Sequence, residues 1–255
     1  SAPPPSVSAI ISASSSPQAD AAFAQAIAAA NGRVILAAFS QEVGGAGRRS
    51  VIVNRPLAQF MSSAQLGLVN VFADPDGWLR RYRVAEDPLG GAPTTLAAQL
   101  AAPLAPQANR FAIDYSIDPD TIPRLSYVDV MTGRFDQHLV AGRNVLVGAN
   151  AAELGDRYPV PVHGYLAGME IQALAYESLV QGRAIHAAGA LWTLLGLGLI
   201  VGAMVSAQSG SWRRINLASA AGAAGAVFIG FTAQNVFAMS LEITPWLAAI
   251  GGGYL

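Results

Sequence analysis

Residues 142–183 read GRNVLVGANAAELGDRYPVPVHGYLAGMEIQALAYESLVQGR, and this stretch decides how the rest of the chain is read. It opens on Asn144, Val145, Leu146 and Val147, a short apolar run stopped by Gly148, which is the pattern of a buried strand. It closes on residues 169–181, where Ile171, Leu174, Ala175 and Ser178 recur at helical spacing along one narrow face. Gly155, Pro159, Pro161, Gly164 and Gly168 make the connection a loop, with Asp156 and Arg157 inside it. Almost directly after Arg183 the sequence turns membrane-like. A water-soluble α/β unit joined through one helix to a bilayer span is therefore expected.

The composition agrees with such a joint. The 255 residues are 53% hydrophobic and only 12% charged, with a mean hydropathy of +0.39, against roughly 25% charge in ordinary soluble domains. The deficit is uneven: beyond Arg183 only Arg213, Arg214 and Glu242 carry charge. A net charge of -1 gives nucleic acid no footing as a partner. Cysteine is absent, which excludes disulfides and thiolate metal sites. Lysine is absent too, all 15 basic residues being Arg, so a P-loop lysine and Schiff-base chemistry are excluded as well. Arg used with Ala, Gly and Pro at the expense of Lys fits a GC-rich bacterial genome. The opening SAPPPSVSA and the short apolar run ending at Leu255 are expected of a window within a longer protein.

Outward from the central stretch, residues 1–15 read as irregular. Ser16 and Pro17 make an N-cap and first helical position, Asp20 lies in the first turn, and Phe23 and Ile27 sit one turn apart. A helix over 17–30, ended by Asn31-Gly32, is expected. Residues 33–39 follow as a buried strand, and 50–54 as a second strand. Between them 44–49 read as a hairpin tip; no helix pattern follows, which argues against a phosphate cradle. Residues 66–72 and 78–84 are two further strands around Asp74-Pro75-Asp76-Gly77, whose turn chemistry predicts an antiparallel hairpin with Gly77 at positive φ. Asp74 and Asp76 are cation ligands in type, but the loop lacks the length and the later Glu of a calcium loop. A helix from Thr94 or Thr95 to about 101, a strand over 111–115 and a helical turn over 126–131 complete an α/β mixed sheet.

Residues 187–211 carry no charge and are strongly apolar over 191–205; residues 215–241 form a second uncharged stretch, and 244–255 begin a third. The predicted division is a soluble domain over 1–186 and an α-helical transmembrane bundle over 187–255, with two complete spans and the start of a third. Gly198 and Gly202, and the row Ala218, Gly222, Ala226 and Gly230, would let helices approach closely. Trp192, Trp212 and Trp246 fall near span ends as interfacial anchors. Arg213 and Arg214 between the first two spans place that loop in the cytoplasm. The opposite loop carries Glu242 and no basic residue, so the α/β domain lies outside.

Reaction chemistry is not legible. HExxH, GxSxG and Walker patterns do not occur. His138, His163 and His186 are far apart, Ser126 and Asp129 make no triad on their own, and Asp129 and Asp136 read as solvated. Arg80-Arg81-x-Arg83 is an anion site or a solvated strand edge, the second being the simpler reading. No catalytic residue, metal site or cofactor is predicted, and ligand-binding residues stay unassigned.

Three segments together carry a resemblance: DPDGWLRRYRV (74–84), IDYSIDPDTIPRLSYVDVMTG (113–133) and residues 139–183. In this order they resemble the later part of a CHASE2 domain. That family shows an Asp-x-Asp-Gly hairpin followed by Arg, an Ile-Asp-Tyr strand, a Ser-Tyr-x-Asp segment and a Gly-(Lys/Arg)-x-Val-x-(Ile/Val)-Gly strand. An Asp-containing loop then leads to a Pro-Gly-x-Glu-x-(His/Gln)-Ala helix, where Ala167 here replaces the usual Pro and Gln172 stands where His is common. The resemblance covers about residues 20–183 and extends to the three following spans. It implies a non-catalytic extracytoplasmic sensor of a bacterial signalling receptor in the inner membrane. The output, a nucleotide cyclase, a kinase or a cyclic-di-GMP enzyme, would lie beyond this chain, and a further span before it. Expected partners are the lipid bilayer, an undefined extracytoplasmic stimulus and a second copy forming a homodimer, with no nucleic acid. The competing readings are a membrane-tethered extracytoplasmic enzyme, which lacks a catalytic constellation, and a transporter fragment, which lacks charge within its spans.

Overall fold

The computed structural model describes residues 7–9, 16–43, 50–85, 94–104, 109–149, 156–208 and 212–252. The chain divides into two compact units, Ser1–Ala184 and Ile185–Leu255. The predicted glycine-rich tip 44–49 lies outside the described residues, as do most of residues 1–15; the part of 1–15 that is described, Val7–Ala9, is a strand rather than the irregular segment expected, because it pairs on both sides with strands far along the chain.

The first unit is built on a mixed sheet. Strands β1 (Val7–Ala9), β2 (Val34–Val43), β4 (Gln65–Leu68) and β7 (Val145–Leu146) run parallel in the order β4-β2-β1-β7. β3 (Ser50–Asn54) pairs antiparallel with the second half of β2, from Phe39↔Asn54 to Val43↔Ser50. Alternation along β2 divides the core. Leu36 faces Ile27 of α1 (Pro17–Ala29) and Phe60 of α2 (Ala58–Met61). Ile35, on the opposite face, packs with Leu96 and Leu100 of α3 (Leu96–Ala101) and with Tyr176 of α5 (Gly168–Val180). Helices thus cover both faces of the sheet, as a parallel sheet requires. The α1 start is the expected one: the Ser16 hydroxyl accepts from the Ala19 N–H at 3.2 Å, with Pro17 at the first position.

A second core lies on the far side of α3 and α5. It is closed by two antiparallel ribbons, β5 (Arg81–Arg83) with β6 (Arg110–Ala112), and β8 (Arg157–Val160) with β9 (Gly164–Ala167). Leu79, Tyr82, Phe111, Val160 and Leu166 meet Ala97, Ala98 and Ala101 of α3 and Ile171, Leu174, Ala175 and Leu179 of α5 there. The predicted α5 stripe is therefore buried, and its Ile171, Leu174 and Ala175 share a core with the ribbons. Between β6 and β7 the chain forms α4 (Tyr127–Met131), which buries no residue.

The Asp-Gly turn is present and its predicted strand pairing is not. Gly77 stands at φ +85, the Asp74 N–H donates to the Trp78 carbonyl at 2.7 Å, and Gly77 N–H to the Asp74 carbonyl at 2.8 Å. The flanking strands, however, part company: β4 joins the parallel sheet beside β2, and β5 pairs with β6. β4 completes the parallel sheet while the chain beyond the turn caps the second core, so the two strands serve different sheets. No atom would touch a Cβ on Gly77 within 4 Å, leaving backbone strain as the cost of any side chain. Gly77→Val is expected to destabilise the first unit by about 1–2 kcal/mol, measurable as a lower midpoint in denaturant. An unchanged midpoint would remove the turn from the stabilising features.

The second unit opens with β10 (His186–Ala187), followed by α6 (Ala190–Gln208), α7 (Trp212–Phe237), β11 (Met239–Ser240) and α8 (Thr244–Gly252). Two complete spans and a third beginning were expected. Among the described residues one helix, α7, is long and apolar enough to cross a membrane; the apolar part of α6, Ala190–Ser206, is shorter. β10 and β11 take residues out of the uncharged runs, and Arg213 and Arg214 lie within the first turn of α7 rather than in a loop. The predicted small-residue row on α7 does make close contacts: Gly222 meets Ile250 and Gly230 meets Ile243. On α6, Gly198 and Gly202 face open space, and Gly196 makes the close approach instead, with a Cβ there falling inside the Trp246 ring. Trp246 is accordingly no interfacial anchor. It is buried, and its Nε1 donates to the Thr193 carbonyl at 2.7 Å.

Candidate functional site

The helix that leads to the membrane unit, α5, is held by polar contacts at its start, middle and end. At the start Glu170 does two things. Its Oε2 accepts from the Ala167 N–H at 2.8 Å, satisfying one of the free amides of the first turn, and its Oε1 pairs with Arg124 at 2.9 Å. The Gly168 N–H donates to the Asp156 carbonyl at 3.0 Å, so the preceding loop closes on the same helix end.

In the middle, the buried Gln172 uses both ends of its amide. Its Oε1 accepts from the Tyr82 hydroxyl, and its Nε2 donates to the Val69 carbonyl at 3.0 Å. Tyr82 in turn accepts from the Ala97 N–H at 3.4 Å. The network ties α5 to β5, to α3 and to the segment after β4. Gln172 is thus a satisfied structural group, not an empty ligand position.

The end of α5 is the most constrained part. Gly182 stands at φ +66, its N–H donates to the Leu179 carbonyl at 3.1 Å, and the Arg183 N–H donates to the Ser178 carbonyl at 2.8 Å. These two bonds make a complete Schellman motif, which fixes the direction in which the chain leaves the helix. The turn after β6 grips it from outside. Ser178 Oγ donates to the Leu174 carbonyl at 2.7 Å and accepts from the Asp114 N–H at 3.0 Å. Asp114 Oδ2 pairs with Arg183 Nε at 2.6 Å, and Arg183 Nη2 donates to Ser116 Oγ at 2.7 Å. The gripping segment is itself anchored by Tyr115, whose hydroxyl donates to the Leu79 carbonyl at 2.7 Å and whose carbonyl lies 2.8 Å from His163 Nε2. Burial, helped by the nearby Asp74 charge, pushes the Tyr115 hydroxyl well above its ordinary pKa, so it stays a neutral donor.

Beyond the joint, the second unit receives the chain on a second fastening. β10 pairs in parallel with β11, His186 opposite Met239 and Ala187 opposite Ser240. The His186 N–H donates to the Ala238 carbonyl at 2.8 Å and Ala188 N–H to the Ser240 carbonyl at 2.9 Å, with Ala238 held at φ +48. The segment before α6 is therefore bonded to the segment between α7 and α8. Arg183 and His186 belong to two fastenings only three positions apart.

The other sequence candidates do not converge. Arg80 pairs with Asp76 at 2.8 Å and Asp74 at 3.4 Å, Arg81 pairs with Asp74, and the Arg83 guanidinium lies 4.2 Å over the Phe72 ring. The turn carboxylates and the arginines thus occupy one another, and neither an anion nor a cation site results. The Arg80 guanidinium holds the Asp76 carboxyl below the usual carboxylate range. Asp136 accepts from the His138 N–H at 2.9 Å, and Ser126 occupies the position before α4. Among the described residues no group of three or more His, Asp or Glu could hold a metal ion. In the helical unit a cleft of about 230 Å³ lies between α6, α7 and α8, lined among others by Gly196, Met204, Gly222 and Trp246.

The grip on Arg183 is not readable from local sequence, because Asp114 and Ser116 lie far upstream. Gly182 directly after the helical pattern was the available sign of a fixed exit. Comparison with known families gives a match of residues 5–207 to the CHASE2 domain. No curated protein and no solved structure matches the chain.

Proposed function

Because this chain belongs to the CHASE2 domain family, a family of non-catalytic extracytoplasmic sensor modules, we propose that its α5 transmits the state of the sensor to the membrane helices. The chain is a CHASE2-type sensor module with a membrane-spanning helix. In the proposal, residues 1–186 form the sensor and 187–255 a transmembrane region with two complete spans and the beginning of a third. The module works as a homodimer in the bacterial inner membrane, and its output domain, a nucleotide cyclase, cyclic-di-GMP enzyme or kinase, lies beyond this chain. Nucleic acid is not a partner.

One observation carries the reading: the clamp of Asp114 and Ser116 on Arg183, placed three positions before the β10–β11 ladder. A helix end fixed by a Schellman turn and an ion pair transmits displacement rather than absorbing it. A ladder bonded to the α7–α8 connection passes it to more than one helix at once.

The orientation is tested by labelling. With Arg213 and Arg214 on the cytoplasmic side, Ser211→Cys in this cysteine-free chain is expected to resist a membrane-impermeant thiol reagent in intact cells, whereas Gln25→Cys on α1 reacts. Labelling at 211 together with protection at 25 would invert the topology and remove the extracytoplasmic sensor role.

A further inference from the structure

We propose that the tip of the β8–β9 ribbon rests in the lipid headgroup layer of the membrane that carries this chain, so that the domain touches the bilayer surface directly. The inference rests on the reading of α5 as the link from an extracytoplasmic domain to the membrane helices, and it names a partner for that domain.

The tip is held under strain. The His163 N–H donates to the Pro161 carbonyl at 2.7 Å, two residues back, with Val162 between them at φ +68. The Tyr165 N–H then donates to the His163 carbonyl at 3.0 Å around Gly164, which stands at φ +73. Three-residue turns with a positive φ are strained; glycine accepts the second one freely, whereas a β-branched valine does not accept the first. What the strained turn does is hold an apolar side chain outward: Val162 is 81% exposed, and Tyr165 beyond it is 61% exposed. The adjoining residues point the other way. Val160 and Leu166 are buried in the second core, and the Leu79 N–H donates to the Pro159 carbonyl at 2.9 Å, so the tip is firmly mounted. A contact fixed in advance loses little conformational freedom when it docks.

The place of the tip in the fold identifies what it meets. His163 Nε2 lies 2.8 Å from the Tyr115 carbonyl, and Tyr115 stands between Asp114 and Ser116, the two residues that hold Arg183. The tip is therefore at the exit end of α5, where Val180 in the last turn is also exposed. Residues 184–189 alone separate Arg183 from α6, a tether of at most about 25 Å, so this end of the domain is the one turned to lipid. The chemistry suits a headgroup layer. Residues 158–169 contain no Asp, Glu or Arg, and tyrosine, with an apolar ring and a polar hydroxyl, is enriched at membrane interfaces. Behind the tip the exposed Arg157 reaches forward to donate to the Tyr165 carbonyl at 2.9 Å, a cation placed for the phosphates of anionic lipid. Asp114 is neutralised by Arg183, and the segment carrying Asp118 and Asp120 leads away from the exit to Arg124, which pairs with Glu170 at the other end of α5. Through His163 and Tyr115, a displacement of the tip by the lipid reaches the grip on Arg183.

The test uses the full chain in nanodiscs of phosphatidylethanolamine and phosphatidylglycerol, with an environment-sensitive fluorophore on a single introduced cysteine in this cysteine-free chain. Lipids carrying a nitroxide high in their acyl chains should quench the probe on Val162→Cys, whereas iodide in the buffer should quench the probe on Gln25→Cys of α1. Tyr165→Cys should behave as Val162→Cys does. Adding Val162→Asp to it should bring lipid quenching down to the level seen at position 25, because a carboxylate stays in water. Both tip positions are exposed, so these variants should keep the native thermal midpoint. A probe on Leu194→Cys, an exposed position on α6, is the reference for the underlying reading. Lipid quenching at 194 with iodide quenching at 162 would overturn the tip as a membrane contact and leave the α5 link standing. Iodide quenching at both would overturn both. Undiminished lipid quenching after Val162→Asp would also overturn the tip, since other contacts would then be holding it at the lipid.

Discussion

A flexible Gly-Ser insertion of about ten residues after Arg183 is expected to abolish stimulus-dependent output of a receptor carrying this module, without unfolding the sensor. The insertion leaves both fastenings intact. Asp114 and Ser116 still hold Arg183, and β10 still pairs with β11. What it removes is the shortness of the connection between them, which in the native chain is residues 184 and 185 alone. A Gly-Ser chain of about ten residues has a root-mean-square span near 17 Å and no preferred direction. Helix shifts that drive switching are on the order of 1–2 Å, which such a tether absorbs completely. Output measured with and without stimulus, alongside thermal unfolding of the variant, separates lost coupling from lost folding. Unchanged stimulus dependence would mean that the signal bypasses α5, through a preceding span or through dimer contacts.

Leu174→Ala should be the most damaging conservative change in the first unit, costing about 3–5 kcal/mol. Leu174 is fully buried in the core between α3, α5 and the two ribbons, and its carbonyl also accepts the Ser178 hydroxyl at the α5 end. Alanine leaves a cavity among Ala97, Ala98 and Ala101, side chains too short to collapse into it. For a unit of this size the loss corresponds to a fall in thermal midpoint of roughly 10 °C. Ser178→Ala, which removes one acceptor for the Asp114 N–H and no volume, should cost only about 1 kcal/mol. A shift at Leu174 no larger than that at Ser178 would show that the second core is not tightly packed.

Structure is legible in the sequence where the chemistry that sets it is local. Ser16-Pro17 announced α1, the Ile171, Leu174, Ala175 and Ser178 stripe announced the buried side of α5, and Asp76-Gly77 announced a turn with Gly77 at positive φ. Pairing was a different matter. A turn residue fixes where the chain bends but carries no information about which strand each arm then meets, so β4 and β5 were wrongly joined. Tyr82 and Gln172 are ninety positions apart, and neither shows from its neighbours that it has a partner. In the second unit hydropathy located the helices but not their ends. It could not distinguish Gly196, which accommodates Trp246, from Gly198 and Gly202, which face open space. The resemblance reached further than periodicity because Asp114 and Arg183 lie inside its quoted segments, although their contact was not foreseen.

The position of β1 in the sheet sets a schedule for folding. Val7 pairs on one side with Val34 and on the other with Val145, so β1 must wait for most of the following chain of the unit before its second neighbour exists. Closure over such a separation is slow. In a domain exported from its N-terminus, the β1–β7 edge can form only after residue 146 has crossed, shortly before α5 follows. Until then the incomplete sheet offers an unpaired edge to chaperones and to other nascent chains. The strand that completes the sheet and the helix that leads to the second unit are thus delivered close together, which ties maturation of the fold to insertion of the membrane helix.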